Sequence, residues 1–427
     1  MTLQLPKGTR DLKPEEAIVR NKIVSTLKDV FEVYGYPPLE TPAFERYDIL
    51  ASKYAGGAEI LKETFKFKDQ GKRELGLRYD LTVPMCRFVG MNPNIKMPFK
   101  RYAIGEVFRD GPVEKARYRQ FTQCDVDVVG IKGMTADAEI IALTSRAFKK
   151  LGFDTTIKIN NRKLLNDLLL NAGVKKDKLE TILLTIDKLE KFGLDTVKKE
   201  LKQKKINNKT INNIIKIINI KGNNREKIIK IKKIIKNSDG LNEIQELISL
   251  LNILKVNVDF DVSLARGLAY YTGTVIEALL QKSSVKTSVA GGGRYDKMIG
   301  SFLGKGEYPA VGISFGVDRI YDAYVEKNKV VQKTVTKVYI IPINTFKESL
   351  KIAEELRNEN VDVDIDLLGK GPSKNLQYAN SLGIPYVIFV GKDELKQNKI
   401  KLKDMNSGKE QLMSAEELVI FLNKNLE

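Results

Sequence analysis

The feature that most restricts the fold is a change of hydrophobic period partway along the chain. From about Asn161 to Asn252 apolar residues recur at helical spacing. Ile211, Ile214, Ile215 and Ile218 make one stripe, Ile228, Ile231 and Ile235 another, and lysines occupy the opposite faces. On both sides of this block the pattern is one of short strands and turns. Phe65-Lys-Phe67 and Asp125-Val-Asp-Val-Val129 alternate with period two, and strand-like segments return at Val256–Leu264, Thr272–Ala278 and Ser288–Ala290. A helical block that interrupts a strand-rich run reads as an insertion. The expected class is α+β: a strand-rich core in two parts, residues 1–160 and 256–325, around a helical insertion at 161–255.

The core should begin with an amphipathic helix from Glu15 to Tyr34, whose Ile18, Ile23, Leu27, Val30 and Phe31 keep the helical period. Tyr36-Pro-Pro-Leu-Glu-Thr-Pro42 is then extended, because a residue before proline avoids the helical region. From Phe65 to Val129 only short strands and turns are expected. Further helices are expected near Ala136–Leu151 and from Gly316. A charged linker at about Val325–Lys333 leads to a last unit, 334–427, in which strands and helices take turns. It offers a strand at Val338–Pro342, a helix at Phe346–Arg357, the alternation Val361-Asp-Val-Asp-Ile-Asp366 and a helix around Ser373–Leu382. A strand at Tyr386–Val390, a hairpin near Lys399–Leu412 and a capping box, Ser414-Ala-Glu-Glu417, for a final helix complete it. Such a run implies a small α/β domain.

Of the 427 residues none is histidine and two are cysteine. That excludes an imidazole general base, Ser-His-Asp and Cys-His nucleophile pairs, and any metal site made from His or Cys. Cys86 and Cys124 give no disulfide framework, so a reducing compartment, the cytoplasm, is expected. No apolar run reaches the roughly 20 residues of a membrane span, so no membrane partner is expected. The opening Met-Thr-Leu-Gln-Leu-Pro-Lys-Gly is no secretory signal. The net charge is +18, and between Leu201 and Asn237 twelve lysines and arginines stand against a single acid, Glu226. A balance of this sign favours anionic partners such as nucleic acid; the same stretch reads equally well as a solvated helix face. Within it Lys202, Lys204, Lys205 and Lys209 are the candidates for contact with a nucleic-acid backbone.

Phosphate handling is the natural chemistry of a basic chain without histidine. There is no Gly-x-x-x-x-Gly-Lys-Ser/Thr run. Four arginine-centred strings stand among glycines and aromatics: Phe108-Arg109-Asp-Gly-Pro112, Arg117-Tyr-Arg-Gln-Phe121, Arg266-Gly-Leu-Ala-Tyr-Tyr-Thr-Gly273 and Gly312-Ile-Ser-Phe-Gly-Val-Asp-Arg319. Gly291-Gly-Gly-Arg-Tyr-Asp296 adds a glycine triplet. Arginine keeps its charge and grips phosphate in a planar, two-pronged way. Successive glycines let a backbone approach a ligand closely, or simply turn. Together the strings suggest a nucleotide triphosphate site built on strands.

These strings resemble those of the class II aminoacyl-tRNA synthetases. Thr41-Pro42 after a long helix is similar to the first family motif, Phe108-Arg109 through Phe121 and Asp127 to the second, and Gly312 through Arg319 to the third. Within that class, Pro6-Lys-Gly-Thr-Arg-Asp11, Leu77-Arg-Tyr-Asp-Leu-Thr82 and the strings beginning at Arg266 and Gly291 resemble the histidyl-tRNA synthetase family. The resemblance implies an antiparallel-sheet catalytic core with a helical insertion, followed by a C-terminal α/β anticodon-binding domain, in a homodimer. The implied activity is that of a histidine–tRNA ligase. Histidine would be activated with ATP and Mg2+ to the adenylate and passed to the 3′-terminal adenosine of tRNA-His. By the same resemblance Arg109 would hold the α-phosphate, Arg117 and Arg319 the outer phosphates, and Phe121 would stack on adenine. Arg266 would act as the catalytic arginine from the other side. Asp80, Thr82 and Gln123 would hold the α-ammonium group. Asp127 would accept from one imidazole nitrogen and Tyr271 donate to the other, with Tyr270 and Tyr295 lining the pocket. A site that pairs both ring nitrogens rejects apolar isosteres.

Three positions depart from the family pattern. Gly111 stands two residues after Arg109 where an acid is expected, Asp127 where many relatives carry the longer glutamate, and Ala269 where aspartate is frequent. Two other readings share part of the pattern: a regulatory subunit of ATP phosphoribosyltransferase, and a tRNA-binding sensor. The first typically lacks the last α/β unit and loses synthetase arginines, whereas this chain keeps Arg109, Arg266, Arg319 and residues 336–427. An enzyme that handles histidine yet contains none would not draw on its own product for its synthesis.

Overall fold

The computed structural model describes residues 2–52, 61–113, 118–266, 270–304, 306–329 and 332–425. The chain divides into two compact units, the first made of Met1–Arg10 and Lys22–Lys327. A small antiparallel sheet comes early in it, from β1 (Phe44–Arg46), β2 (Lys66–Lys68) and β3 (Glu74–Leu77). The centre is a sheet of β4 (Phe99–Phe108), β5 (Gln120–Val129), β6 (Thr155–Asn161), β7 (Asp259–Phe260), β8 (Thr274–Leu280), β9 (Ala290–Arg294) and β10 (Ala310–Gly316). Its strand order is β4-β5-β10-β9-β8-β6-β7, antiparallel at every pairing except β6 with β7.

Several elements differ from the sequence pattern. β4 and β5 are ten residues each, where short strands were expected, and a helix, Thr82–Met91, precedes them. That helix buries Val83, Pro84, Met85, Cys86 and Val89 in nearly one run, so it shows no amphipathic period to read. The stretch Val256–Leu264 contributes only the two-residue β7. The glycine triplet is not a turn but part of β9 itself.

Alternation along the strands gives the sheet two unlike faces. Cys124, Val126 and Val128 of β5 and Val311, Ile313 and Phe315 of β10 are all buried on one side. There Phe315 lies 5.6 Å, ring to ring, from Phe148 of the helix Thr135–Lys150 and equally far from Phe31 of the helix Pro14–Val33. Burying each such ring contributes about 1.5–3 kcal/mol. The other side carries Phe121, Gln123, Asp125 and Asp127; the last three pair with Gly316, Ser314 and Gly312 of β10, and Gly312 and Ser314 pair in turn with Gly293 and Gly291 of β9. On this side the paired positions of β5 and β10 are polar groups and bare backbone, while Phe121 packs against Leu81, Ala103 and Val107.

Between β6 and β7 the chain is helical: Arg162–Asn171, Leu179–Ile186, Leu189–Gln203, Asn208–Ile218, Asn224–Ile234 and Asp239–Ile253. Asn161, Asn207, Asn223 and Ser238 cap four of these by accepting from first-turn N–H groups. Ile211, Ile214, Ile217 and Ile218 are buried, while Ile215, expected in that stripe, is only half-buried. Lys227, counted with the solvated cations, is buried, its Nζ 2.6 Å from Asp259 Oδ1. No described helix is long and apolar enough to cross a membrane.

The second unit comprises Asp11–Asn21 and Asn328–Glu427. Its strands β11 (Val338–Ile343), β12 (Val363–Ile365), β13 (Tyr386–Gly391), β14 (Ile400–Asp404) and β15 (Glu410–Met413) lie in the order β12-β11-β13-β14-β15. The first three are parallel and the last two pairings antiparallel. The helices Phe346–Asn358, Pro372–Leu382 and Ala415–Asn425 accompany the sheet. The last is capped as its sequence predicts: Ser414 N–H donates to Glu417 Oε2 at 2.9 Å, and Glu417 N–H to Ser414 Oγ at 3.2 Å.

Candidate active site

The polar face of the seven-stranded sheet owes its depth to missing side chains. Gly312 pairs with Asp127 on one side and Gly293 on the other; Ser314 pairs with Asp125 and Gly291. A Cβ on Gly312 would overlap the Asp127 carboxylate, and one on Gly291 would overlap the Arg266 guanidinium. Bare backbone thus makes room for one anion and one cation. Arg266 has φ +45°, uncommon away from glycine. Its Nη1 donates to Ile276 O at 3.1 Å and lies 3.3 Å from Glu277 Oε1. Burial pulls its pKa down, but Tyr271 and Glu277 outweigh burial and leave it above the ordinary value, so the cation is secure.

Asp127 is held on both oxygens. Arg101, opposite it on β4 and almost fully buried, lies 2.7 Å from Oδ2, and the Tyr295 hydroxyl donates to Oδ1. Burial first, and then the Asp127 charge, push the Tyr295 phenol well above its usual range and keep it protonated. Tyr270 packs on Tyr271 at 4.7 Å between ring centres and meets Tyr295 edge-on at 6.2 Å, so the three tyrosines form one wall. Gln123 Oε1 is buried with no hydrogen-bond partner among the described residues. A buried acceptor left so costs about 1–3 kcal/mol, which a ligand N–H donor would recover. Asp80 Oδ1 accepts the N–H groups of Thr82 and Val83 at 3.1 and 2.9 Å, and so fixes Thr82 in the first turn of its helix.

The arginines lie in unlike settings. Arg109, just past β4, is clamped between the rings of Tyr79 at 4.1 Å and Phe121 at 4.9 Å, with Nε donating to Tyr79 O at 3.4 Å. One face of Phe121, expected to stack on adenine, is therefore covered by Arg109. Arg319 donates to Ser288 O at 2.7 Å. Arg117 lies outside the described residues. In the insertion, Lys202, Lys205 and Lys209 are exposed. Lys204 is turned inward, 2.8 Å from Glu200 and bonded to Thr181 O at 3.1 Å and Thr185 Oγ1 at 2.5 Å. Its bond holds the Glu200 carboxyl down at about 2.

Some residues of the quoted strings received no role from the sequence, and the structure supplies one. Arg10 pairs with Asp318 at 2.6 Å and stacks on Tyr118 at 4.4 Å, and Asp318 Oδ2 accepts the Thr122 N–H at 3.4 Å. The opening string thereby ties together the segments around Phe121 and Arg319. Arg294, inside the glycine string, is a structural cation: it pairs with Asp137 and donates to Ile131 O and Gly133 O at 2.9 and 3.0 Å. Among the described residues no group of three or more carboxylates or thiols could hold a metal ion.

Comparison with known proteins agrees with this architecture. A model of histidyl-tRNA synthetase matches residues 8–320, and a model of the anticodon binding domain matches 337–425. Histidine–tRNA ligase 1 of Bacillus cereus is 43% identical over 421 residues, 96% of this chain and 97% of that one. Histidine–tRNA ligase 2 of Shouchella clausii is 42% identical over 412 residues, 95% and 96% of the two chains. The crystal structure of histidyl-tRNA synthetase from Nostoc sp. PCC 7120 matches with a TM-score of 0.88 at 28% identity, over 100% of both chains. Matched along nearly all of its length, the chain belongs to the histidyl-tRNA synthetase family.

Proposed function

We propose that the chain is a histidine–tRNA ligase, forming histidyl-adenylate from histidine and ATP and transferring histidine to the 3′-terminal adenosine of tRNA-His. The observation that carries the reading is the cleft itself: the half-buried Arg266 and an unpaired buried amide oxygen, that of Gln123, over a floor of glycine backbone. In activation the histidine carboxylate attacks the α-phosphorus, the bond to pyrophosphate breaks, and charge spreads over the phosphoryl oxygens. Cations already in place stabilise that charge without reorganising. Arg109, locked between two rings, and Arg266, seated against Gly291, serve the α-phosphate from two sides, and Arg117 and Arg319 serve the outer phosphates. Adenine stacks on the Phe121 face away from Arg109. Gln123, Asp80 and Thr82 receive the α-ammonium group, and Asp127 with Tyr270, Tyr271 and Tyr295 recognises the imidazole. Magnesium comes with the ATP, held by phosphates and water, as that ion commonly is. The enzyme works in the cytoplasm as a homodimer.

ATP–pyrophosphate exchange with each amino acid in turn tests the reading. Exchange with histidine alone is expected, and Arg266→Ala should lower it about 100- to 1,000-fold in protein that still melts cooperatively above the assay temperature. No exchange with any amino acid would favour a regulatory paralogue instead.

A further inference from the structure

Glu63 belongs to none of the strings discussed above, yet it meets the surroundings of Arg109 at three points, Asp110, Tyr79 and Gly111. Its backbone carbonyl accepts the Asp110 N–H at 2.7 Å. Its Oε2 accepts the Tyr79 hydroxyl at 3.1 Å. Its carboxylate also fills the space beside Gly111, where a Cβ would come within 2.9 Å of Oε1 and 3.2 Å of Oε2. Tyr79 is the residue that clamps Arg109, by its ring at 4.1 Å and by its carbonyl at 3.4 Å. Burial of Tyr79, reinforced by Glu63 and opposed by Arg109, raises the phenol pKa, so the hydroxyl stays a donor.

We propose that Glu63 is a positioning residue for ATP: it occupies the place of a side chain at position 111 and, through Tyr79, holds the Arg109 guanidinium where it meets the α-phosphate. This rests on the reading of Arg109 as a phosphate ligand. A tyrosine tied only by its backbone can swing its ring; tied at the hydroxyl as well, it presents one face to the cation. Gly111 is part of the device, because any β-carbon there displaces the carboxylate.

The test is steady-state ATP–pyrophosphate exchange at varied ATP and varied histidine, with a thermal melt of each full-length variant. Glu63→Ala is expected to raise the KM for ATP about tenfold and leave that for histidine within about twofold. Glu63→Gln, whose amide oxygen can still accept the hydroxyl, should stay near wild type. Tyr79→Phe should reproduce Glu63→Ala, and the pair together should cost no more than either alone. Gly111→Ala should raise the KM for ATP in the wild type and have no further effect beside Glu63→Ala. An unchanged KM for ATP in Glu63→Ala, full additivity with Tyr79→Phe, or equal rises in both KM values with a lowered melting temperature would each overturn the proposal. Arg109→Lys is measured alongside: if it leaves the KM for ATP unmoved, the reading of Arg109 has failed, and the proposal with it.

Discussion

Asp125 sits between Gln123 and Asp127 on the polar face, and burial pushes its carboxyl up to about 7, against the pull of Arg101 and with the push of Asp127. Its ordinary value is 3.8, so between about pH 4 and 7 the folded chain holds a proton that the unfolded chain has released. This group therefore removes stability as pH rises through that window, and the full penalty persists above it. Asp125→Asn should melt higher than wild type at pH 8, and the gap should close as pH falls toward 4; a gap that did not change with pH would refute the assignment. Alternation in Asp125-Val-Asp-Val-Val129 placed Asp125 and Asp127 on one face, whereas Gln123 was singled out only by resemblance to the family. Arg101 was not legible. Its ion pair with Asp127 depends on the register of two ten-residue strands, which the sequence pattern does not specify. Nor does composition tell a buried arginine such as Arg101 or Arg294 from a solvated one.

The helices were the easiest elements to read, because their apolar stripes and asparagine caps are local signals. Thr82–Met91 escaped because burial on nearly all sides erases the period, and β9 escaped because glycine is ordinarily a strand breaker. In β9 the usual penalty is offset by what the bare backbone admits, the Arg266 guanidinium. The basic helices divide into solvated and engaged lysines, and a measurement can follow that division. Neutralising Lys202, Lys205 and Lys209 together should flatten the salt dependence of tRNA binding by about 0.7–0.9 in log–log slope for each phosphate no longer neutralised. Lys204→Ala should instead lower the melting temperature, because it strips Glu200 of its closest cation, and leave the slope nearly as it was. An unchanged slope in the triple variant would assign that face to solvent.

Over the whole molecule, 427 residues pass without a histidine, and every role proposed for the site falls to arginine, carboxylate, amide, threonine hydroxyl, phenol or the Phe121 ring. Under histidine limitation the level of this protein should fall less than the proteome average, which quantitative proteomics during starvation would record; a fall in step with histidine-rich proteins would reduce the absence to compositional bias. The second unit was legible almost element by element, since each of its strands and helices is short and bounded by local signals. The first was not, because its sheet is assembled from segments far apart in the chain. The glycine floor between β5, β9 and β10 has a last consequence, for how such a cleft can be altered. Every substitution on that floor adds atoms and none can remove them, so mutation there can only make the cleft shallower. A variant that accepts a bulkier amino acid must be sought in the tyrosine wall, where Tyr270, Tyr271 and Tyr295 still have side chains to lose.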